Sequence, residues 1–379
     1  MSKRFLKKNN LDIHARSGER PAPGISTGGT MKDRRYELDM IRIVACLFVV
    51  VVHVAGYGIE IKTPSSIDWL IRNLVVCAVR CAVPLFFMIS GILFMERQIS
   101  LDVLYKKYIA RIAAAWAVWS AFYAGIDFIA NMKNGSAGIL YFAERFFSGH
   151  YHLWFLPALV VAYAFQPIIR RFIIDCPENL LKYTGILVLI GVMAKATLDP
   201  FMDGFSGWNG WWGNLSVPLA SIGILYFVIG YCLYKKKDRS SLFGGKGLLL
   251  YFGAVAVMAG GNWFSAVVAG EHRSVMTGYL TLEVLAASVG LFAFFVKTFS
   301  KVVLSDKMKK TIGVVSECTF GIYLVHTFLI EQVFRRVGLS QDQFPVAIAI
   351  LLISIFTFVI SFAFTWCVKK IPVIGKWVV

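Results

Sequence analysis

Apolar runs of about twenty residues, closed off by charged residues, glycine or proline, recur along nearly the whole chain. Twenty residues of α-helix span about 30 Å, the thickness of a bilayer's hydrocarbon core. The pattern predicts helices near 41–59, 73–95, 109–130, 153–169 and 183–198, and again near 215–234, 247–269, 277–296, 312–334 and 345–368. The expected fold class is therefore all-α, a polytopic transmembrane helical bundle of about ten spans. Residues 15–30, rich in Gly, Pro, Ser and Arg, read as a linker. This divides the chain into a flexible basic tail over 1–35 and a transmembrane domain over 36–379.

Composition narrows the picture. The 379 residues are 58% hydrophobic and only 16% charged, and the mean hydropathy is +0.66. Soluble globular chains carry about 25% charge, so a soluble or disordered chain is excluded. The net charge of +17 on a soluble protein would suggest nucleic acid; here its distribution matters more. Of 39 Lys and Arg, 29 fall in the two tails and in alternate loops, seven fall in the opposite loops, and Arg42, Arg80 and Lys195 fall within spans. This is the positive-inside pattern. It predicts cytoplasmic N- and C-termini in a plasma (inner) membrane, with the basic excess contacting anionic lipid rather than nucleic acid. The seven cysteines are scattered without a Cys-x-x-Cys pair, so they read as small buried hydrophobes and no metal site is expected.

An ionisable group inside a bilayer costs about 3 kcal/mol, so each invites a functional reading. In the first run, Asp39 and Arg42 are i,i+3 neighbours and can pair. His53 follows eleven residues after Arg42, about 16 Å along the same helix and on nearly the same face. A snorkelling arginine and a histidine bonded to a neighbouring helix would also explain them. The second run holds Arg80, too deep to snorkel, then Pro84-Leu-Phe-Phe and Ser90-Gly91, which permit a kink and close helix approach. A basic cluster, Lys106, Lys107 and Arg111, opens the third run; it is a surface anchor or a phosphate dock.

On the opposite side, the fourth run begins His150-Tyr-His152-Leu-Trp154. Trp208, Trp211 and Trp212 lie in a glycine-rich loop. Stacking aromatics of this kind suit a sugar ring, and a membrane-interface belt explains them too. Lys195, Glu283, Glu317 and His326 complete the candidate buried groups. Glu283 is expected two turns inside its helix, and His326 near mid-depth.

These residues resemble the acyltransferase-3 family of bacterial integral-membrane acyltransferases. The similarity rests on Arg42 and His53, on Arg80 with Pro84, Phe86, Phe87, Ser90 and Gly91, on the basic cluster, and on the Trp-Phe-rich fourth run. The segment Thr319-Phe-Gly-Ile-Tyr-Leu-Val-His326 matches as well, and the likeness covers roughly 34–368. Where family members often carry Arg-x-x-Arg in the basic cluster, here Tyr108 stands three residues before Arg111. No appended extracytoplasmic hydrolase-like domain is expected. The resemblance implies acetyl-CoA or another short acyl-CoA as co-substrate, no permanently bound cofactor, and a glycan or glycolipid acceptor.

Joined to the resemblance, the residues suggest roles. Arg42, Lys106, Lys107 and Arg111 would hold the anionic nucleotide, whose slim arm would thread between helices toward His53. His53 would act as general base, since a neutral imidazole accepts a hydroxyl proton near neutral pH. Arg80 would stabilise developing negative charge; Glu283 or Glu317 would orient His53. His152, Trp154, Trp208, Trp211, Trp212 and His326 would line the acceptor side. A proton-coupled transporter of a small polar solute is the rival reading, because buried His, Arg and Glu serve transport too. No repeat relates 41–198 to 215–368, which counts against it. A non-catalytic membrane module is a third. Nothing in the sequence specifies an oligomer.

Overall fold

The computed structural model describes residues 34–132, 138–202, 220–334, 344–372, 374–377 and 379, and among them every regular element is helical. Tyr36–Val379 forms one compact unit. In chain order the helices are α1 (Tyr36–Gly56), α2 (Ile67–Val79) and α3 (Ala82–Met95). Next come α4 (Leu101–Met132), α5 (Ile139–Ser148), α6 (Tyr151–Asp175) and α7 (Glu178–Pro200). The rest are α8 (Ala220–Lys235), α9 (Gly245–Ala269), α10 (Leu282–Phe299), α11 (Asp306–Phe334), α12 (Val346–Lys369) and a short α13 (Ile374–Trp377).

Nine helical segments among the described residues are long and apolar enough to cross a membrane, α2 and α3 counting together as Ile67–Met95. The protein is a multi-pass membrane protein. Only α8 of the ten expected spans is shorter among the described residues, which resume at 220. Several helices begin before their apolar runs because polar residues cap them. Ser66, Ser100, Thr281 and Ser305 each accept the backbone N–H three residues on, at the starts of α2, α4, α10 and α11. Thr281 fixes the start of α10, so Glu283 sits in its first turn rather than two turns inside.

The break between α2 and α3 follows from one residue. Pro84 has no N–H, so the carbonyl four residues earlier, that of Arg80, loses its helical donor. The helix turns at Arg80–Cys81 and restarts with Leu85 N–H donating to the Cys81 carbonyl at 3.0 Å. Arg72, counted with the outer loops from the sequence, is in fact buried within α2. Its guanidinium meets Asp68 at 2.6 Å and donates to the Ala55 and Tyr57 carbonyls, at 3.3 and 3.0 Å, where α1 ends. An internal partner and an orphan helix end together make that burial tolerable.

Small residues set the tightest crossings. A Cβ on Gly91 of α3 would collide with the Phe227 backbone of α8, and one on Gly230 of α8 with the Met88 backbone. Gly247 and Gly290 face one another between α9 and α10 in the same way. Backbone-to-backbone approach supplies dispersion contact where lipid offers no hydrophobic driving force. Gly91→Val is expected to lower the melting temperature in detergent, by overpacking worth about 1–3 kcal/mol. Gly260→Ala, which meets open space, should leave melting unchanged or slightly raised.

Candidate active site

A cavity of about 320 Å³ opens at the end of the bundle where α1 finishes. Val49, Val52 and His53 of α1 line it, with Arg80 at the α2–α3 break, His152 and Trp154 of α6, and Thr277 and Tyr279 before α10. No carboxylate is on its wall among the described residues. The His53 ring has no hydrogen-bond partner among the described residues. It lies edge-on to Tyr151, ring centres 5.4 Å apart, and 5.1 Å from His326. Arg80 donates through Nε to the Thr277 carbonyl at 2.6 Å, and its guanidinium sits 4.2 Å over the Tyr279 ring. No carboxylate pairs with it among the described residues, so a cation without a counter-ion faces the cavity.

Behind the wall lies a dense histidine cluster. His150 Nδ1 and His152 Nδ1 share a hydrogen bond at 2.8 Å, so this His-x-His pair bonds to itself. His150 Nε2 reaches Glu331 at 3.3 Å, and the Tyr151 hydroxyl also bonds that carboxylate. Thr327 Oγ1 bridges His152 to the Tyr123 hydroxyl, at 3.3 and 2.7 Å, and the Tyr323 hydroxyl donates to the His152 carbonyl. Among the described residues, no group of three or more His, Cys, Asp or Glu side chains could hold a metal ion. Gly149, at φ +68°, turns the chain from α5 into this cluster.

The structure brings together some of the candidates from the sequence and separates others. His53, Arg80, His152 and Trp154 share the cavity. His326 does not line it; fully buried, it stands behind His53. Glu283 lies off the wall, 3.5 Å from Thr197 Oγ1. Glu317 is displaced further: it is more than half exposed on α11, 3.7 Å from Lys369 Nζ. Nine residues of helix, about 13 Å, separate it from His326, so it does not reach His53. The carboxylate of this region is instead Glu331, which sequence reading missed because it lies past the last recognised motif. Its one visible signal is its place five residues after His326 in the same apolar run.

At the opposite end, Arg42 lies 3.8 Å from Asp39, which also accepts from Ser316 at 2.6 Å. Arg111 donates to the Val379 carbonyl at 2.9 Å and lies over the Phe320 ring. Arg42 and Arg111 both lie close enough to Tyr163 to act on it electrostatically. Lys106 and Lys107 are exposed, and Lys106 pairs with Asp102 at 2.6 Å. None of the four lines the cavity. The expected continuous passage from this basic end to His53 is therefore not present among the described residues. Val49 is the lining residue of α1 nearest the basic end, about 10 Å short of Arg42. On the same side, Phe155 of the wall packs on buried Phe87, ring centres 4.8 Å apart. Trp208, Trp211 and Trp212 lie outside the described residues.

Residues 35–366 match the acyltransferase-3 family, described as an acyltransferase domain. The chain belongs to the acyltransferase-3 family. An amino-acid racemase of Enterococcus faecalis is 30% identical over 139 residues, 35% of this chain and 19% of the racemase. The chain thus spans less than a fifth of that relative's length. No solved structure matches.

One polar contact at the cavity mouth is pH-sensitive. Trp69 Nε1–H donates to His272 Nδ1 at 3.1 Å, which requires that nitrogen to be unprotonated. Burial holds the His272 pKa below its ordinary 6.5. Below that value the unfolded chain binds a proton that the folded chain resists, so stability falls as pH falls. Thermal melts at pH 7.5 and 5.5 should show a smaller acid-side drop for His272→Gln than for wild type.

Proposed function

We propose that this family member is a membrane O-acyltransferase, most simply an O-acetyltransferase, that moves an acyl group from acyl-CoA to a hydroxyl of a cell-envelope glycan. One observation carries the reading: on the cavity wall, an imidazole with no partner faces the same space as a guanidinium with no counter-ion. That pairing suits acyl transfer, which needs a proton acceptor for the hydroxyl and a cation for the oxyanion. The acceptor oxygen attacks the thioester carbonyl carbon, and His53 takes the hydroxyl proton. Arg80 stabilises the tetrahedral oxyanion. The C–S bond then breaks, and the proton on His53 neutralises the departing thiolate, so atoms and charge balance.

The donor side of the reading rests on cation density. Arg42 and Arg111 suit the phosphates of a nucleotide, with exposed Lys106 and Lys107 alongside. A thioester arriving there must cross the stretch of about 10 Å between Arg42 and Val49, where the cavity is not open, to reach His53. This reading keeps the basic end and both termini in the cytoplasm, in line with the positive-inside count. On the acceptor side, Trp154 and Tyr279, ring centres 5.3 Å apart, offer faces on which a sugar ring can stack. The Tyr151-His-Leu-Trp-Phe155 run is similar to that of the enterobacterial common antigen O-acetyltransferase, which favours a glycan acceptor. No observation of comparable weight favours transport.

The test uses membranes containing the full chain, labelled acetyl-CoA, and the base-labile label recovered in the envelope glycan fraction. His53→Ala is expected to lose at least about 100-fold in transfer at unchanged protein level. Arg80→Gln should lose on the order of 100-fold in kcat. Wild-type transfer by a well-folded His53→Ala protein would remove the proposal.

A further inference from the structure

The catalytic reading leaves open what orients His53. Orientation matters because an imidazole works as a base only when its other nitrogen is held in the right tautomer. Carboxylates do this in many hydrolases, yet none lies against His53 among the described residues: Glu283 is off the wall, Glu317 is distant, and Glu331 is taken by His150 and Tyr151.

His326 has the geometry for the task. It is wholly buried, one turn before α11 widens into its final turns at Leu329. Its Nδ1 lies 2.6 Å from the Tyr323 carbonyl. A carbonyl only accepts, so Nδ1 carries the hydrogen. The other nitrogen, Nε2, is buried and has no hydrogen-bond partner. A second hydrogen there would bury a charged N–H with nothing to receive it, so Nε2 presents a lone pair. Leaving such an acceptor unused costs about 1–3 kcal/mol. The His53 ring lies 5.1 Å away, centre to centre, with no hydrogen bond made between the two rings; at that spacing a turn of the His53 ring lets the two imidazoles share an N–H···N bond of about 3 Å.

We infer that His326 is the positioning residue of the site: its backbone-anchored imidazole accepts the N–H of His53 and thereby turns the other His53 nitrogen, as a lone pair, toward the cavity. This rests on His53 being the base. When His53 takes the acceptor's proton, its bond to His326 stays in place and His326 remains neutral. The proton then leaves with the thiolate. A neutral orienting partner also spares the membrane interior a second buried charge.

Two substitutions separate this role from mere packing. His326→Asn keeps a donor for the Tyr323 carbonyl but removes the acceptor facing His53. His326→Gln can return a carbonyl oxygen to that place. In the labelled-acetyl assay His326→Asn is expected to lose about 100-fold in kcat with little change in the KM for acetyl-CoA, and His326→Gln to recover at least tenfold of that loss. An unchanged kcat in His326→Asn, or equal losses in the two variants at equal melting temperature, would overturn the inference. If neither variant folds, nitrogen NMR of the histidine-labelled wild-type protein decides it. A scalar coupling across the His53–His326 hydrogen bond is expected, and its absence overturns the role. An inert His53→Ala beside a fully active His326→Asn would refute the orienting role alone, whereas an active His53→Ala would remove the base assignment itself.

Discussion

A backbone carbonyl that cannot find its helical donor shapes this protein more than any other single feature. Pro84 withholds an N–H from the Arg80 carbonyl, and in a hydrocarbon environment such a deficit cannot be met by bulk water. The second span breaks there. The break takes Arg80 out of a continuous helix and brings its guanidinium to the Thr277 carbonyl and the Tyr279 ring. Beyond the break, α3 crosses α8 with Gly91 and Gly230 at the contact. One missing hydrogen thus supplies both a cation in the cavity and a closely packed floor beneath it.

The cavity wall is chemically lopsided. It carries imidazoles, one guanidinium, amides and aromatic faces, and no acid among the described residues. The carboxylates nearby are engaged elsewhere: Asp68 with Arg72 and Lys62, Glu331 with His150 and Tyr151. Such a site attracts electron-rich atoms and leaves imidazole lone pairs available. Those are the demands of acyl transfer, where oxygen charge grows and a proton must depart. The Asp68–Arg72 pair adds rigidity by tying the end of α1, three residues beyond His53, to the body of α2.

The two ends of α1 differ in their surroundings, and no open space joins them among the described residues. Arg42 sits among cations and tyrosines at one end, and His53 faces the cavity at the other. The cavity stops at Val49, about 10 Å short of Arg42.

Hydrophobic run length determined the all-helical, membrane-spanning class, because crossing a bilayer imposes a fixed length of apolar residues. Sequence also singled out His53 and Arg80, because charge and imidazole are conspicuous in apolar runs. It could not tell which helices touch. The approach of α6 and α11 to α1 put Glu331 with His150, set His326 behind His53, and left Glu317 beside Lys369 instead. It also buried Arg72, which linear order had assigned to a loop. These outcomes depend on contacts between residues hundreds of positions apart, and side-chain packing across helices, unlike bilayer thickness, leaves no periodic trace along a single chain.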